Sequence, residues 1–156
     1  DGHRIELVAR VGEVDFVDDS KATNPHAATA SLNAYESVVW IAGGLAKGAR
    51  FDDLVLSVRD RLRGVVLIGR DANVIQEALA RHAPDMQVMM VLAGDTEDTE
   101  DSEVMDTVVR VAAEMAQPGD TVLLAPGCAS MDMFTNYSAR GDAFAQAVHR
   151  WRQTGD

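Results

Sequence analysis

The sequence predicts a three-layer α/β domain, with helices on both faces of a mostly parallel sheet of about six strands. An N-terminal hairpin adds an antiparallel edge strand. Three observations predict it. Short apolar runs of the kind buried on both faces recur along the chain. Helical apolar stripes separate them. The first two runs instead flank a single glycine, with no helix between them.

The elements follow in order. Residues 5–10 alternate apolar and polar, Gly12 makes the turn, and residues 14–17 form the second arm of the hairpin. A helix starts at Pro25, because Asn24 is a good N-cap and proline suits the first helical position. Residues 38–42 (VVWIA), 65–69 (VVLIG), 88–92 (VMMVL) and 121–125 (TVLLA) read as parallel strands. Between them, Phe51, Leu54, Val55, Val58 and Leu62 share one helix face, as do Val74, Ile75, Ala78 and Leu79. Val104, Met105, Val108, Val109, Ala112 and Met115 form a third stripe, stopped by Pro118 and Gly119. Phe144, Val148 and Trp151 form a fourth. Each stripe reads as core packed on the sheet rather than as a cofactor box.

Composition narrows the function. A chain of 156 residues that is 47% hydrophobic suits one domain with one core. A net charge of −11 argues against nucleic acid and anionic membranes as partners, since both need clustered Lys and Arg. It leaves room for a small anionic ligand in a basic cleft. The acidic residues Asp95, Glu97, Asp98, Glu100, Asp101 and Glu103 read as a solvated loop running into a helix start rather than as a metal site. The single cysteine, Cys128, excludes an intrachain disulfide and fits a reducing compartment. No apolar run is long enough to span a bilayer and no signal-peptide pattern opens the chain. The start at Asp1 fits a processed protein or a piece of a longer one.

Ligands of open parallel sheets collect at the carboxyl ends of the strands, and three loops fall there. In residues 18–24, Lys21 supplies a cation, Thr23 a hydroxyl, and the following helix unpaired N–H groups, which suits phosphate or carboxylate. A capping loop with a solvated lysine fits the same residues. In residues 43–48, Gly43 and Gly44 let the backbone approach a ligand below Lys47. A glycine-rich turn with an exposed lysine fits equally. No Walker A or dinucleotide fingerprint is present. In residues 125–132, small residues leave the backbone accessible and Ser130 can donate or accept a hydrogen bond. Cys128 reads as a small buried residue rather than a nucleophile, because no histidine lies near it in sequence. His26, His82 and His149 lack metal-ligand spacing and read as surface or packing residues.

Taken together, these loops resemble the Mur ligase family. Asp19-Ser20-Lys21-Ala22-Thr23-Asn24 is similar to a signature of the branch that ligates D-glutamate. His3-Arg4 resembles the pair that opens the family's C-terminal domain, and Gly43-Gly44 with Lys47 resembles its glycine-lysine loop. Residues 125–130 (APGCAS), then Asp132, Phe134, Asn136, Arg140, Gly141 and Phe144, resemble the final signature. The resemblance covers essentially the whole chain. The chain departs from the pattern at Tyr137, where phenylalanine is usual, at Gly127, where alanine is common, and at Asp18, where asparagine is common.

The resemblance implies a Rossmann-like single domain over residues 1–156, the amino-acid-binding C-terminal domain of a ligase. The N-terminal UDP-binding and central ATPase domains would lie outside this chain. It implies that His3 and Arg4 meet the ATP phosphates, Asp19 the ribose, and Lys21 phosphate charge. Thr23, Lys47, Ser130 and the Met131 backbone would hold D-glutamate, with Tyr137 as an apolar wall. ATP and Mg²⁺ would serve the complete enzyme, with neither bound tightly by this domain alone. The acceptor would be UDP-N-acetylmuramoyl-L-alanine, in bacterial cytoplasmic peptidoglycan precursor synthesis, and the isolated chain would be inactive. Thr23, Lys47 and Ser130 must then share one cleft. Alternatives are another ligase of the superfamily, such as a folylpolyglutamate synthase, a stand-alone binding module for an acidic metabolite, or a scaffold using the acidic run.

Overall fold

A computed structural model gives the architecture and describes residues 2–91, 101–130, 134 and 136–154. Strands β1 (Glu6–Val11) and β2 (Val14–Asp18) form the antiparallel hairpin, turning at Gly12 with φ 62°. Helix α1 (Pro25–Leu32), strand β3 (Val38–Gly43), helix α2 (Asp52–Val58) and strand β4 (Leu62–Ile68) follow. Helix α3 (Ala72–His82), strand β5 (Val88–Met90), helix α4 (Asp101–Met115), strand β6 (Thr121–Leu124) and helix α5 (Tyr137–Thr154) complete the chain.

The six strands lie in the order β1-β2-β6-β3-β4-β5, parallel except for the β1–β2 pair. The expected sheet, with its antiparallel edge, is therefore present. The period-2 geometry of a strand sends alternate residues to opposite faces, and β3 shows the result. Val38, Trp40 and Ala42 join the core under α1, α2 and α3, while Val39 and Ile41 join the core under α4 and α5. Both faces are covered, which is why these strands read as continuous apolar runs.

Two expectations need correction. Leu62 continues the apolar spacing of α2, yet it opens β4. The helix ends at Val58, one 3₁₀ turn (Arg59–Arg61) intervenes, and Leu62 is extended at φ −82°, ψ 123°. Spacing of four cannot tell a helix from a helix followed by a strand. The fifth strand stops at Met90 rather than running to residue 92, which lies outside the described residues. The acidic run also falls mostly outside them, although α4 does begin at Asp101.

At the opposite end of the sheet from the loops of interest, Arg63 holds the buried Asp120 through Nε at 2.9 Å and Nη2 at 3.3 Å. The same carboxylate accepts the Gln117 N–H at 2.8 Å. This pins the turn between α4 and β6.

Candidate functional site

Strands β2, β6 and β3 are neighbours, so their carboxyl ends deliver residues 19–24, 125–130 and 43–48 to one rim. Backbone hydrogen bonds join the three loops. Asp19 N–H donates to Leu124 O at 2.8 Å, and Gly127 N–H to Ala22 O at 2.8 Å. Gly43 N–H donates to Pro126 O at 3.0 Å, and Leu45 and Ala129 exchange both their bonds at 2.9 Å. Trp40, fully buried, aims its indole N–H at Ala125 O, 2.7 Å away, and so anchors the start of the middle loop.

The first loop is set by its cap. Asn24 Oδ1 accepts the Ala27 N–H at 2.9 Å and Pro25 opens α1, as the sequence predicts. The N-terminal segment folds back over this loop. Lys21 N–H donates to His3 O at 3.2 Å, and Ile5 N–H to Asp19 Oδ1 at 3.3 Å. That places the exposed Arg4 beside Asp19 and Lys21. The three line a cleft of about 270 Å³ whose other wall is α1, through Ala27, Ala30 and Ser31. Two cations flanking a carboxylate suit a ligand that carries both phosphate and hydroxyl groups. Buried Ser31 Oγ on that wall has no hydrogen-bond partner among the described residues.

His3 fixes this arrangement. Its Nδ1 lies 2.5 Å from Asp18 Oδ2, its Nε2 3.2 Å from Asp142, and its backbone N–H donates to Glu6 at 2.9 Å. Burial pulls the imidazole pKa down, but the hydrogen bond and charge of Asp18, with Asp142 and Glu6, outweigh it and raise it above its ordinary value. Burial pushes the Asp18 carboxyl up, against the His3 and Ser20 hydrogen bonds. Gly141 makes the approach possible. A Cβ there would lie 2.2 Å from His3 Nδ1 and 2.7 Å from Asp18 Oδ2. His3, Glu6 and Asp18 also have ligand atoms within 4.8 Å of one another, close enough to share an ion, but these protein hydrogen bonds already account for the cluster.

Lys47 sits on the second loop, exposed, with left-handed backbone at φ 53°. The loop passes so close to its neighbour that a Cβ on Gly44 would lie 2.3 Å from Ala129 O. Ala46 N–H donates to Asp71 Oδ2 at 2.8 Å, and Asp71 N–H to Gly44 O at 3.0 Å. Thr23 is partly buried. Ser130 is buried, at 5% exposed. Met131 lies outside the described residues. Tyr137 stands beside the N-terminal segment and the first loop. Its ring meets His3 edge-on at 6.4 Å and lies under the Lys21 ammonium at 5.9 Å. Cys128 is buried, 1% exposed, as expected of a packing residue.

One further residue organises the rim, with a role that the sequence reading did not assign. Arg140 is 1% exposed, and its guanidinium donates to Ser20 Oγ (2.9 Å), Ser20 O (2.8 Å) and Cys128 O (3.0 Å). Ser20 Oγ in turn donates to Tyr137 O at 2.6 Å. Its place in the final signature is the hint the sequence carries.

Residues 3–128 match the family described as "Mur ligase, glutamate ligase domain". The UDP-N-acetylmuramoylalanine--D-glutamate ligase of Streptomyces coelicolor is 63% identical over 148 residues, covering 95% of this chain and 30% of that protein. The ligase of the same name from Thermobifida fusca is 58% identical over 146 residues, covering 94% and 30%. The chain thus spans about 30% of the length of these curated relatives. Among solved structures, UDP-N-acetylmuramate-alanine ligase from Thermotoga maritima superposes with a TM-score of 0.58 at 12% identity, over 97% of this chain and 30% of that one. A bifunctional folylpolyglutamate synthase/dihydrofolate synthase from Yersinia pestis gives 0.51 at 17% identity, over 99% and 31%. At such identities the likeness to these two structures is one of fold.

Proposed function

Because the chain belongs to the Mur ligase family, as its glutamate ligase domain, we propose that it is the amino-acid-binding domain of the ATP-dependent ligase that joins D-glutamate to UDP-N-acetylmuramoyl-L-alanine in peptidoglycan precursor synthesis. The observation that carries the proposal is the hydrogen-bonded convergence of the loops bearing Lys21 and Thr23, Lys47, and Ser130. The names of these curated relatives support the choice of D-glutamate. The fold neighbour that is a folylpolyglutamate synthase carries no weight for that substrate, given its low identity.

In this reading the rim has two halves. Arg4, Lys21 and Asp19 take the nucleotide, the cations facing phosphate and the carboxylate accepting from ribose hydroxyls. Lys47, Thr23 and Ser130, with Met131, take D-glutamate, whose two carboxylates need a cation and hydroxyl donors. Tyr137 braces His3 and Lys21 between them.

The chemistry follows from the reactants. The γ-phosphoryl group passes to the acceptor carboxylate, giving an acyl phosphate and ADP. The D-glutamate amine attacks that carbonyl, loses a proton, and phosphate leaves as the amide forms. Mg²⁺ neutralises phosphate charge in such transfers, and its ligands are proposed to lie in the central domain. This chain's share is to orient the amine and to close over the nucleotide.

The test is a substrate screen on the full-length protein, reading phosphate release and amide product. D-Glutamate with ATP and the UDP-muramoyl-alanine acceptor gives turnover. Turnover with a folate or another amino acid instead overturns the assignment. The isolated chain gives no turnover, and metal-dependent product from it alone would contradict the division of labour.

A further inference from the structure

We propose that Asp71 is the positioning residue for Lys47, holding residues 43–48 in the one conformation that presents the ammonium to the incoming amino acid. The inference rests on the reading of Lys47 given above.

Asp71 occupies the N-cap position of α3. There an aspartate normally accepts from the first-turn N–H groups of its own helix. Among the described residues it makes no such bond. Its Oδ2 reaches instead to Ala46 N–H at 2.8 Å, and its own N–H donates to Gly44 O at 3.0 Å. The two bonds bracket Leu45, whose N–H and C=O are held on the other side by Ala129, both at 2.9 Å. The loop is therefore clamped between the start of α3 and the loop that carries Ser130.

The next residue is Lys47, at φ 53°. A non-glycine side chain in the left-handed region is strained and persists only where its surroundings over-determine it. Gly48 continues the left-handed turn at φ 78°, and Ala49 N–H closes it onto Ala46 O at 3.0 Å. Ala46 is thus fixed from both sides, by Asp71 at its N–H and by Ala49 at its carbonyl. A carboxylate taken from its own helix to hold the residue before a strained lysine serves the loop rather than the helix.

The experiment compares Asp71→Asn, Asp71→Ser, Lys47→Ala and the Asp71→Ser/Lys47→Ala double variant in the full-length ligase. It reads KM for D-glutamate, ATP and the UDP-sugar, with kcat and Tm. Serine can cap α3 but is one bond too short to hold Ala46. Asparagine keeps an acceptor oxygen at the same reach. The expected result for Asp71→Ser is a rise of roughly tenfold in KM for D-glutamate, about the loss of one charge-assisted hydrogen bond's effect. The other KM values, kcat and Tm stay near wild type. Asp71→Asn recovers most of the loss, and the double variant is no worse than Lys47→Ala. If Lys47→Ala raises KM for D-glutamate but Asp71→Ser leaves it unchanged, or the two effects multiply, the positioning role is overturned and the Lys47 reading stands. If Lys47→Ala itself leaves that KM unchanged, the reading falls and this inference with it.

Discussion

Arg140 donates to both oxygens of Ser20, the hydroxyl from Nε at 2.9 Å and the carbonyl from Nη2 at 2.8 Å, tying α5 to the first loop of the rim. Its third bond, to Cys128 O at 3.0 Å, ties in the last loop as well. A lysine in its place keeps the charge but cannot reproduce the planar fork. Arg140→Lys therefore lowers stability by about 2–4 kcal/mol, within the range for breaking hydrogen-bonded buried charges. Urea denaturation measures it. A change smaller than about 0.5 kcal/mol, typical of surface sites, contradicts the role.

The His3–Asp18 contact gives stability a pH dependence of definite sign. The folded pKa of His3 is raised, so its contribution is complete below the ordinary histidine value and is lost as pH rises through the raised one. The Asp18 carboxyl is also pushed up, so its contribution is complete below the ordinary aspartate value and is lost as pH rises through the raised one, a window that opens at more acid pH than that of His3. Both effects run the same way. Tm falls as pH rises above about 6.5, and His3→Ala flattens that slope. An unchanged slope in the variant removes His3 as its source.

At the far end of the sheet the sign reverses. Burial raises the Asp120 carboxyl, but Arg63, Ser37 and the Gln117 N–H lower it further, leaving it below the ordinary range. Its contribution is present above the ordinary aspartate value and is lost as pH falls through the depressed one. Arg63, whose side chain is 38% exposed, shares the pair with solvent. Arg63→Ala therefore lowers stability only modestly at neutral pH. The difference from wild type shrinks at acid pH, as denaturation at pH 7 and at pH 3 would read.

Ser31 tests the first cleft from behind. Its buried hydroxyl has no partner among the described residues, and serine is a poorer helix former than alanine. Ser31→Ala raises stability by about 1 kcal/mol, and KM for ATP in the full-length protein stays unchanged. Loss of stability or of ATP affinity shows that the hydroxyl has a partner.

The layers were legible because their signals are local. Alternation in residues 5–17, apolar runs buried on both faces, and the Asn24-Pro25 cap each act within a few residues. Leu62 was misplaced because the apolar spacing continues past the end of α2 into a strand. The loops of the rim could be picked out from Lys21, Lys47 and Ser130, but not what holds them. Arg140 and Asp71 act through side chain to backbone bonds across 120 and 25 positions, and such bonds leave no periodic trace. The place of Tyr137 beside His3 and Lys21 depends on how α5 docks, which its own apolar stripe does not specify.

The most direct test is the KM for D-glutamate of Lys47→Ala in the full-length ligase, measured beside the KM for the UDP-sugar. Removing the one cation assigned to the amino acid raises the first by tenfold to a hundredfold, on the order of 1.5–3 kcal/mol, and moves the second less than twofold. An unchanged KM for D-glutamate would detach this rim from the amino acid altogether.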